Sequence, residues 1–163
     1  MPVNFDRFTL VQYLDQLSTK EPVPGGGSAA AYAAALGTGL LSMVANYSLG
    51  RKANTKTVEA RLLRSRTASE VIRKRLLALT SLDSEAYLQI VAARSKDNKT
   101  QRLASRNAAK VGEEICRLCY KAMDLTPFLV EKGNPYLLSD VEVAVELLRA
   151  GYNGSMVMVK INQ

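Results

Sequence analysis

Between Pro22 and Gly50 the chain carries no charged side chain, and the run opens with Pro22-Val23-Pro24-Gly25-Gly26-Gly27-Ser28 ahead of three alanines. Two prolines stop any regular element before the glycines. Three glycines leave a backbone free to take positive φ and let another group come close. Ser28 then opens an alanine-rich helix. A glycine-rich loop emptying into a helix N-terminus presents unpaired N–H groups, which suit an anionic or carbonyl-rich ligand. The same run also serves as a plain loop that packs two helices tightly. From Ser28 to about Leu49 the stretch is long enough to raise the question of a membrane span. Its polar residues (Tyr32, Thr38, Ser42, Asn46, Ser48) and its many alanines instead predict a buried central helix, with Gly37 and Gly39 admitting a neighbour.

The rest of the pattern is helical, with no convincing strand. Phe8 to Thr19 forms a first helix, with Phe8, Val11, Leu14 and Leu17 on one side. A long third helix is predicted from about Thr55 to Arg94. Its seam alternates in steps of four and three through Val58, Leu62, Ser65, Ser69, Ile72, Leu76, Leu79, Asp83, Ala86 and Ile90. That spacing suits near-parallel packing in a bundle. A fourth helix is expected from Gln101 to Leu129, bent near Pro127. A fifth starts at Ser139-Asp140-Val141-Glu142 with a capping-box pattern and is interrupted from Gly151 to Gly154. The 163 residues fit one domain, 1–163. The predicted fold is all-α, an up-and-down-like bundle of five to six helices with one long helix.

Chemistry is bounded by what is missing. The chain has no histidine and only two cysteines. Cys116 and Cys119 form a lone C-x-x-C inside a helical pattern, which points to core packing rather than a metal site. Proton transfer must therefore run on carboxylates, lysine, tyrosine, cysteine or backbone dipoles. The formal charge of +7 favours an anionic partner. The basic residues Arg61, Arg64, Arg66, Arg73, Lys74 and Arg75 alternate with Glu59 and Glu70, without interleaved aromatics, so nucleic acid is not expected. Met1–Asp6 shows no basic-then-apolar leader, so a cytoplasmic setting and no membrane association are the expectations.

One residue on the long seam is out of place. Asp83 falls where the third helix should face the core. Either Thr80-Ser81 loosen the helix and Asp83 re-caps it, or the carboxyl is held in a cleft where desolvation raises its pKa.

Four ordered blocks then resemble the formiminotransferase-cyclodeaminase C-terminal domain family. They are Pro22–Ala30 with Val44–Lys52, Leu82-Asp83-Ser84-Glu85-Ala86-Tyr87, Gly133-Asn134-Pro135 with Leu138-Ser139-Asp140-Val141, and Val159-Lys160-Ile161-Asn162. The resemblance covers essentially the whole chain. It implies a homodimeric helical bundle acting on a tetrahydrofolate derivative, either as a formimidoyltetrahydrofolate cyclodeaminase or as a methenyltetrahydrofolate cyclohydrolase, with Asp83 as acid/base residue. No metal and no cofactor beyond the tetrahydrofolate substrate is implied. Gly25, Gly26, Gly27 and Ser28 are placed at the substrate, their N–H groups receiving a pterin carbonyl or a tail carboxylate, and the basic surface would attract a polyglutamate tail. Asp140 is a candidate for the pterin ring, though it equally suits a helix first turn. Asn134 is a second candidate in a turn where Asn also has local reasons to occur. Lys160 meets an anion or snorkels. Arg51 and Lys52 cap the second helix or contact ligand. The chain departs from the family pattern at Glu142, Met158 and Gly112, where a small residue, a polar residue and a proline are usual. A helical interaction module that has kept the scaffold and lost the chemistry is the second reading; failure to bind folate distinguishes it.

Overall fold

The computed structural model describes residues 4–163; Met1–Val3, part of the segment searched for a leader, lie outside the described residues. After a short 3-10 turn at Phe5–Arg7, six α-helices follow: α1 Leu10–Leu17, α2 Gly26–Ser48, α3 Lys56–Ala93, α4 Asn98–Met123, α5 Thr126–Lys132 and α6 Leu138–Asn162. A second 3-10 turn, Pro135–Leu137, leads directly into α6. No strand occurs among the described residues.

The four long helices pack in a ring, α2 on α3, α3 on α4, α4 on α6 and α6 on α2. Point contacts fix their directions. Ser42 donates to Glu70 at 2.7 Å, Gly39 faces Arg73, and Gly27 faces Asp83, so α2 and α3 run antiparallel. Gly37 meets Ala144 and Leu148 while Gly151 meets Ala30 and Ala34, so α6 is antiparallel to α2 as well. Leu41, Val44, Leu62, Leu76, Leu79, Ile115, Leu129 and Leu148 fill the core, each fully buried. Burial of such a set is the main favourable term in folding.

The long third helix forms as its seam predicts, from Thr55, whose hydroxyl accepts from the Val58 N–H, to Arg94. It runs unbroken through Asp83, which excludes the re-capping alternative. Other expectations are corrected. On α1 the buried residue is Tyr13, whereas Phe8, Val11 and Leu14 are exposed. Thr9, not a residue within the apolar stripe, sets its start through a capping box with Gln12. Ser28 does not open α2: Gly25 is the N-cap and Ser28 lies inside the first turn. The fourth helix stops at Met123, and Pro127 occupies the first turn of a separate α5, where a missing N–H costs nothing. No capping box forms at Ser139, because the 3-10 turn makes Leu137 the N-cap.

Gly151 and Gly154 do not interrupt α6; they let it lie against α2. A Cβ on Gly151 would sit 2.8 Å from the Ala34 Cβ and 2.9 Å from the Ala30 carbonyl. Gly112 has the same use between α4 and α6, where a Cβ would lie 2.9 Å from Val159 Cγ2. These glycines set interhelical distance. We expect Gly151→Val to cost about 2–3 kcal/mol by overpacking, seen as a fall in thermal midpoint of roughly 4–10 °C. Gly26→Ala, with nothing within 4 Å of the new methyl, should leave the midpoint nearly unchanged.

Candidate active site

Glycine at position 27 is dictated by contact. A Cβ built there would lie 2.6 Å from Asp83 Cγ and 2.7 Å from Oδ2, and closer still to Oδ1. The carboxyl therefore rests directly on the backbone of the first turn of α2. None of the three loop glycines has positive φ; among the described residues that conformation occurs only at Gly50. The glycines serve close approach and openness, since Gly25 and Gly26 have nothing within 4 Å of a would-be Cβ.

Two opposed effects act on Asp83. Burial pushes its pKa up, while the Ser28 backbone N–H, donating to the carboxylate, pulls it down; the balance lies at about 6. The donor is one of the unpaired N–H groups of a helix N-terminus, where the helix dipole also favours an anion. Desolvation wins. The carboxyl can thus hold or release a proton near neutrality, the property needed of a general acid or base. One of the N–H groups expected to receive a ligand is accordingly taken by Asp83 itself.

Behind the carboxyl stands an aromatic wall not legible in the sequence pattern. The Tyr13 hydroxyl lies 3.0 Å from Ser28 Oγ, and its ring stacks on Tyr32 at 4.7 Å and meets Phe5 edge-on at 5.7 Å. Burial raises the Tyr13 pKa, with a smaller contribution from the Asp83 charge. The Phe5 N–H donates to Ser81 Oγ at 2.8 Å, tying the N-terminal segment to α3 two residues before Asp83. A Tyr at the fourth position of an amphipathic α1 gives no periodic signal, because the helix buries one residue rather than a stripe.

The remaining candidates divide between the two ends of the bundle. Lys160 is exposed on the last turn of α6, beyond Gly154, which meets Ala30; it therefore belongs to the end that carries Asp83. Asn134 is at the other end. Its N–H donates to Ser48 Oγ at 2.8 Å, and its Oδ1 accepts from the Tyr136 N–H at 3.1 Å. Arg51 donates to the Gly133 carbonyl at 2.9 Å, so it pins the exit of α2 to the end of α5. Asp140 is half-buried in the first turn of α6, near that same end. Gly27 and Ser48 are separated by roughly 32 Å of helix at 1.5 Å per residue. Within one chain the structure brings Asp83, Gly25, Gly26, Gly27 and Ser28 together and does not bring Asn134 or Asp140 to them.

Three other sequence features find a structural role. Cys116 and Cys119 are unpaired and buried, and burial pushes the Cys119 thiol up to about 12, as befits core residues. No cluster of three potential metal ligands exists among the described residues. Part of the basic face of α3 is absorbed internally: Arg75 makes a two-pronged bond to Glu114 at 2.8 and 2.9 Å, and Arg73 pairs with Glu70 at 2.7 Å. α2 is long and apolar enough to cross a membrane, but 61% of that apolar window is buried in the bundle, which is the signature of a core helix.

Because the folded pKa of Asp83 exceeds its ordinary value of 3.8, the fold binds this proton more tightly than the unfolded chain does. Its contribution to stability is therefore full below pH ~4, declines as pH rises to about 6, and stays low above. We expect Asp83→Asn to be more stable than the parent at pH 8 by on the order of 2 kcal/mol, and the advantage to vanish below pH ~4. Urea titrations at both pH values measure this.

Comparison with known proteins follows the same lines. Residues 9–163 match the family model described as formiminotransferase-cyclodeaminase. The chain is 34% identical over 164 residues to a methenyltetrahydrofolate cyclohydrolase from Methylorubrum extorquens, covering 94% of this chain and 78% of that one. It is 28% identical over 160 residues to the mouse formimidoyltransferase-cyclodeaminase, covering 92% of this chain but 29% of the longer mouse protein. The crystal structure of a formiminotetrahydrofolate cyclodeaminase from Thermotoga maritima superimposes with a TM-score of 0.93 at 29% identity, covering 96% of this chain and 79% of that one. With a family match over nearly its whole length and a bundle of the same shape, the chain belongs to the formiminotransferase-cyclodeaminase family.

Proposed function

We propose that this protein is a folate-dependent one-carbon enzyme acting on the N5/N10 bridge of tetrahydrofolate, with Asp83 as general acid/base. The observation that carries the reading is a single carboxyl of pKa about 6, held against the open glycine turn at the N-terminus of α2. Relatives named for cyclodeaminase and cyclohydrolase activities supply the substrate class.

Both candidate reactions suit one such group. In the cyclodeaminase direction, folate N10 attacks the formimino carbon on N5 and the N10 proton passes to the formimino nitrogen; that nitrogen takes one further proton, its C–N bond breaks, and ammonia departs, leaving the methenyl cation. Protonated Asp83 supplies that proton. In the cyclohydrolase direction, water adds to the methenyl carbon and the bridge opens to a formyl group. There ionised Asp83 takes the water proton and stabilises the positive charge of the methenyl bridge. Gly25 and Gly26 line the approach, with Gly27 as the floor; Ser28 lies buried behind them and acts through its N–H on Asp83. The substrate tail has a natural direction to follow. An open groove of about 1520 Å³ between the first turns of α4 and the end of α6 is lined by Lys99, Arg102, Arg106 and Lys110. Lys110 also borders a smaller groove between α3 and α4, beside Leu82 and Ala86. Lys160 on the adjoining turn adds to the field that attracts a carboxylate-bearing tail. The reading carries with it a homodimer in a cytoplasmic setting, with no cofactor beyond the tetrahydrofolate substrate. In it Asn134 and Asp140 contact the folate from the opposite end of the bundle of a second copy.

The test is to offer 5-formiminotetrahydrofolate and 5,10-methenyltetrahydrofolate separately and follow the methenyl absorbance. Gain of signal identifies cyclodeaminase; loss above the spontaneous rate identifies cyclohydrolase. No turnover of either, together with no folate-induced thermal stabilisation, would leave only the interaction module. We expect Asp83→Asn to lose roughly 10²–10⁴-fold in kcat/KM while remaining folded. The pH profile discriminates the role: an acid makes kcat/KM fall as pH rises above about 6, and a base makes it fall as pH drops below about 6.

A further inference from the structure

Helix α1 turns much of its apolar surface to solvent and holds on to the bundle through one buried side chain. Leu10, Val11 and Leu14 are exposed, and of this helix Tyr13 alone is buried. A phenylalanine would fill nearly the same space. The hydroxyl that tyrosine adds needs a partner once buried, and it meets Ser28 Oγ at 3.0 Å, on a residue that is itself fully buried. Ser28 departs from the pattern of Thr38, Ser48, Ser69 and Ser84, which each donate to the carbonyl four residues back in their own helix. Its hydroxyl is engaged instead by a side chain of another helix, 15 positions away.

That bond falls on the residue whose N–H meets the Asp83 carboxylate. From there the contacts close on themselves. Asp83 rests on the backbone at Gly27 and Ser28, Ser28 Oγ meets Tyr13, and the Tyr13 ring meets Phe5 edge-on. The Phe5 N–H then donates back to Ser81 on α3, two residues before Asp83. Three helices and the N-terminal turn are thus tied in one circuit beside the carboxyl. Its weakest member is the first turn of α2. The N–H groups there have no partner within the helix, and the glycines ahead of Ser28 carry no side chain to hold them.

We propose that Tyr13 is a positioning residue for Asp83: its hydroxyl fixes Ser28, and with it the first turn of α2, where the Ser28 N–H reaches the carboxylate. The link to catalysis rests on the folate reading; the effect on Asp83 itself does not. No charged neighbour takes this role. α2 brings no charged side chain and only Tyr32 beside Tyr13; the 3-10 turn brings Arg7, α3 itself Glu85 and Tyr87, and α4 Lys110 beyond Leu82. Among the described residues none of these sets the proton affinity of Asp83, which burial raises and the Ser28 N–H lowers. Loosening that N–H weakens the lowering, so the carboxyl keeps its proton to higher pH.

The titration of Asp83 reads this without any folate. The chain has six aspartates, so protein carrying 13C at the aspartate carboxyl gives few signals, and the one lost in Asp83→Asn belongs to Asp83. In Tyr13→Phe the ring and its stack on Tyr32 stay, and only the hydroxyl link is cut. The Asp83 midpoint should rise by on the order of half a pH unit to one unit. Ser28→Ala cuts the same link from the other side while keeping the backbone N–H, and should raise the midpoint equally. The two together should raise it no further than either alone. In turnover, the pH at which kcat/KM bends should move by the same amount in Tyr13→Phe. A Tyr13 that only anchors α1 would lower the thermal midpoint and leave the titration where it was. That outcome, or additive shifts from the two variants, would overturn the proposal. A shifted titration in a protein with no folate turnover would sink the enzymatic reading and leave the hold of Tyr13 on Asp83 standing.

Discussion

The contact between the Asp83 carboxyl and the backbone at Gly27 is the point on which the functional end of this molecule depends. It requires that position 27 have no side chain, that α3 run unbroken past its seventh turn, and that α2 begin where its first N–H groups meet the carboxyl. Shift α3 by one residue and the carboxyl leaves the glycine for solvent or for the core. The register is held further along by Ser42 on Glu70 and by Asn54, which bonds both the Ser48 carbonyl and Glu59. Polar pins along the α2–α3 contact, away from the Asp83 end, thus fix the register that keeps one carboxyl in place.

Two opposed demands meet at that carboxyl. A buried acid with no donor would stay protonated at neutral pH, and an acid saturated by donors would stay ionised. Here burial is offset by one backbone N–H and a helix dipole, so both protonation states are reachable. The Tyr13–Tyr32–Phe5 cluster adjoins the same turn of α2 through the Tyr13 hydroxyl on Ser28, adding aromatic area rather than charge to this end of the bundle. Stability is given up at this place, as the pH argument for Asp83 shows, and it is made up by the aliphatic core between the four long helices.

How much of this was legible from residues alone varies with the kind of signal. The α3 seam was legible because ten positions repeat a helical period, and a misplaced acid stands out against such a repeat. The glycine run was legible as a site of close approach, yet its partner was not, since Gly27 and Asp83 are 56 positions apart and nothing local couples them. Gly151 and Gly154 misled, because a glycine pair breaks a helix in isolation and tightens one against a neighbour in a bundle. Tyr13 was invisible: a single buried residue has no period. The spread of Asn134 and Asp140 to the far end was hidden for the same reason, as motif order along a chain carries no information about which end of a bundle each motif occupies.

By itself the sequence determined the helical class, the extent of the longest helix, the absence of imidazole chemistry, and the family, because composition, period and motif order are properties of the chain taken in order. Only the tertiary structure decided which carboxyl is drawn out of water, which N–H meets it, and which candidates share its end of the bundle. Those are matters of distance between residues far apart in sequence, and distance is set by how closely glycine and alanine let four helices approach.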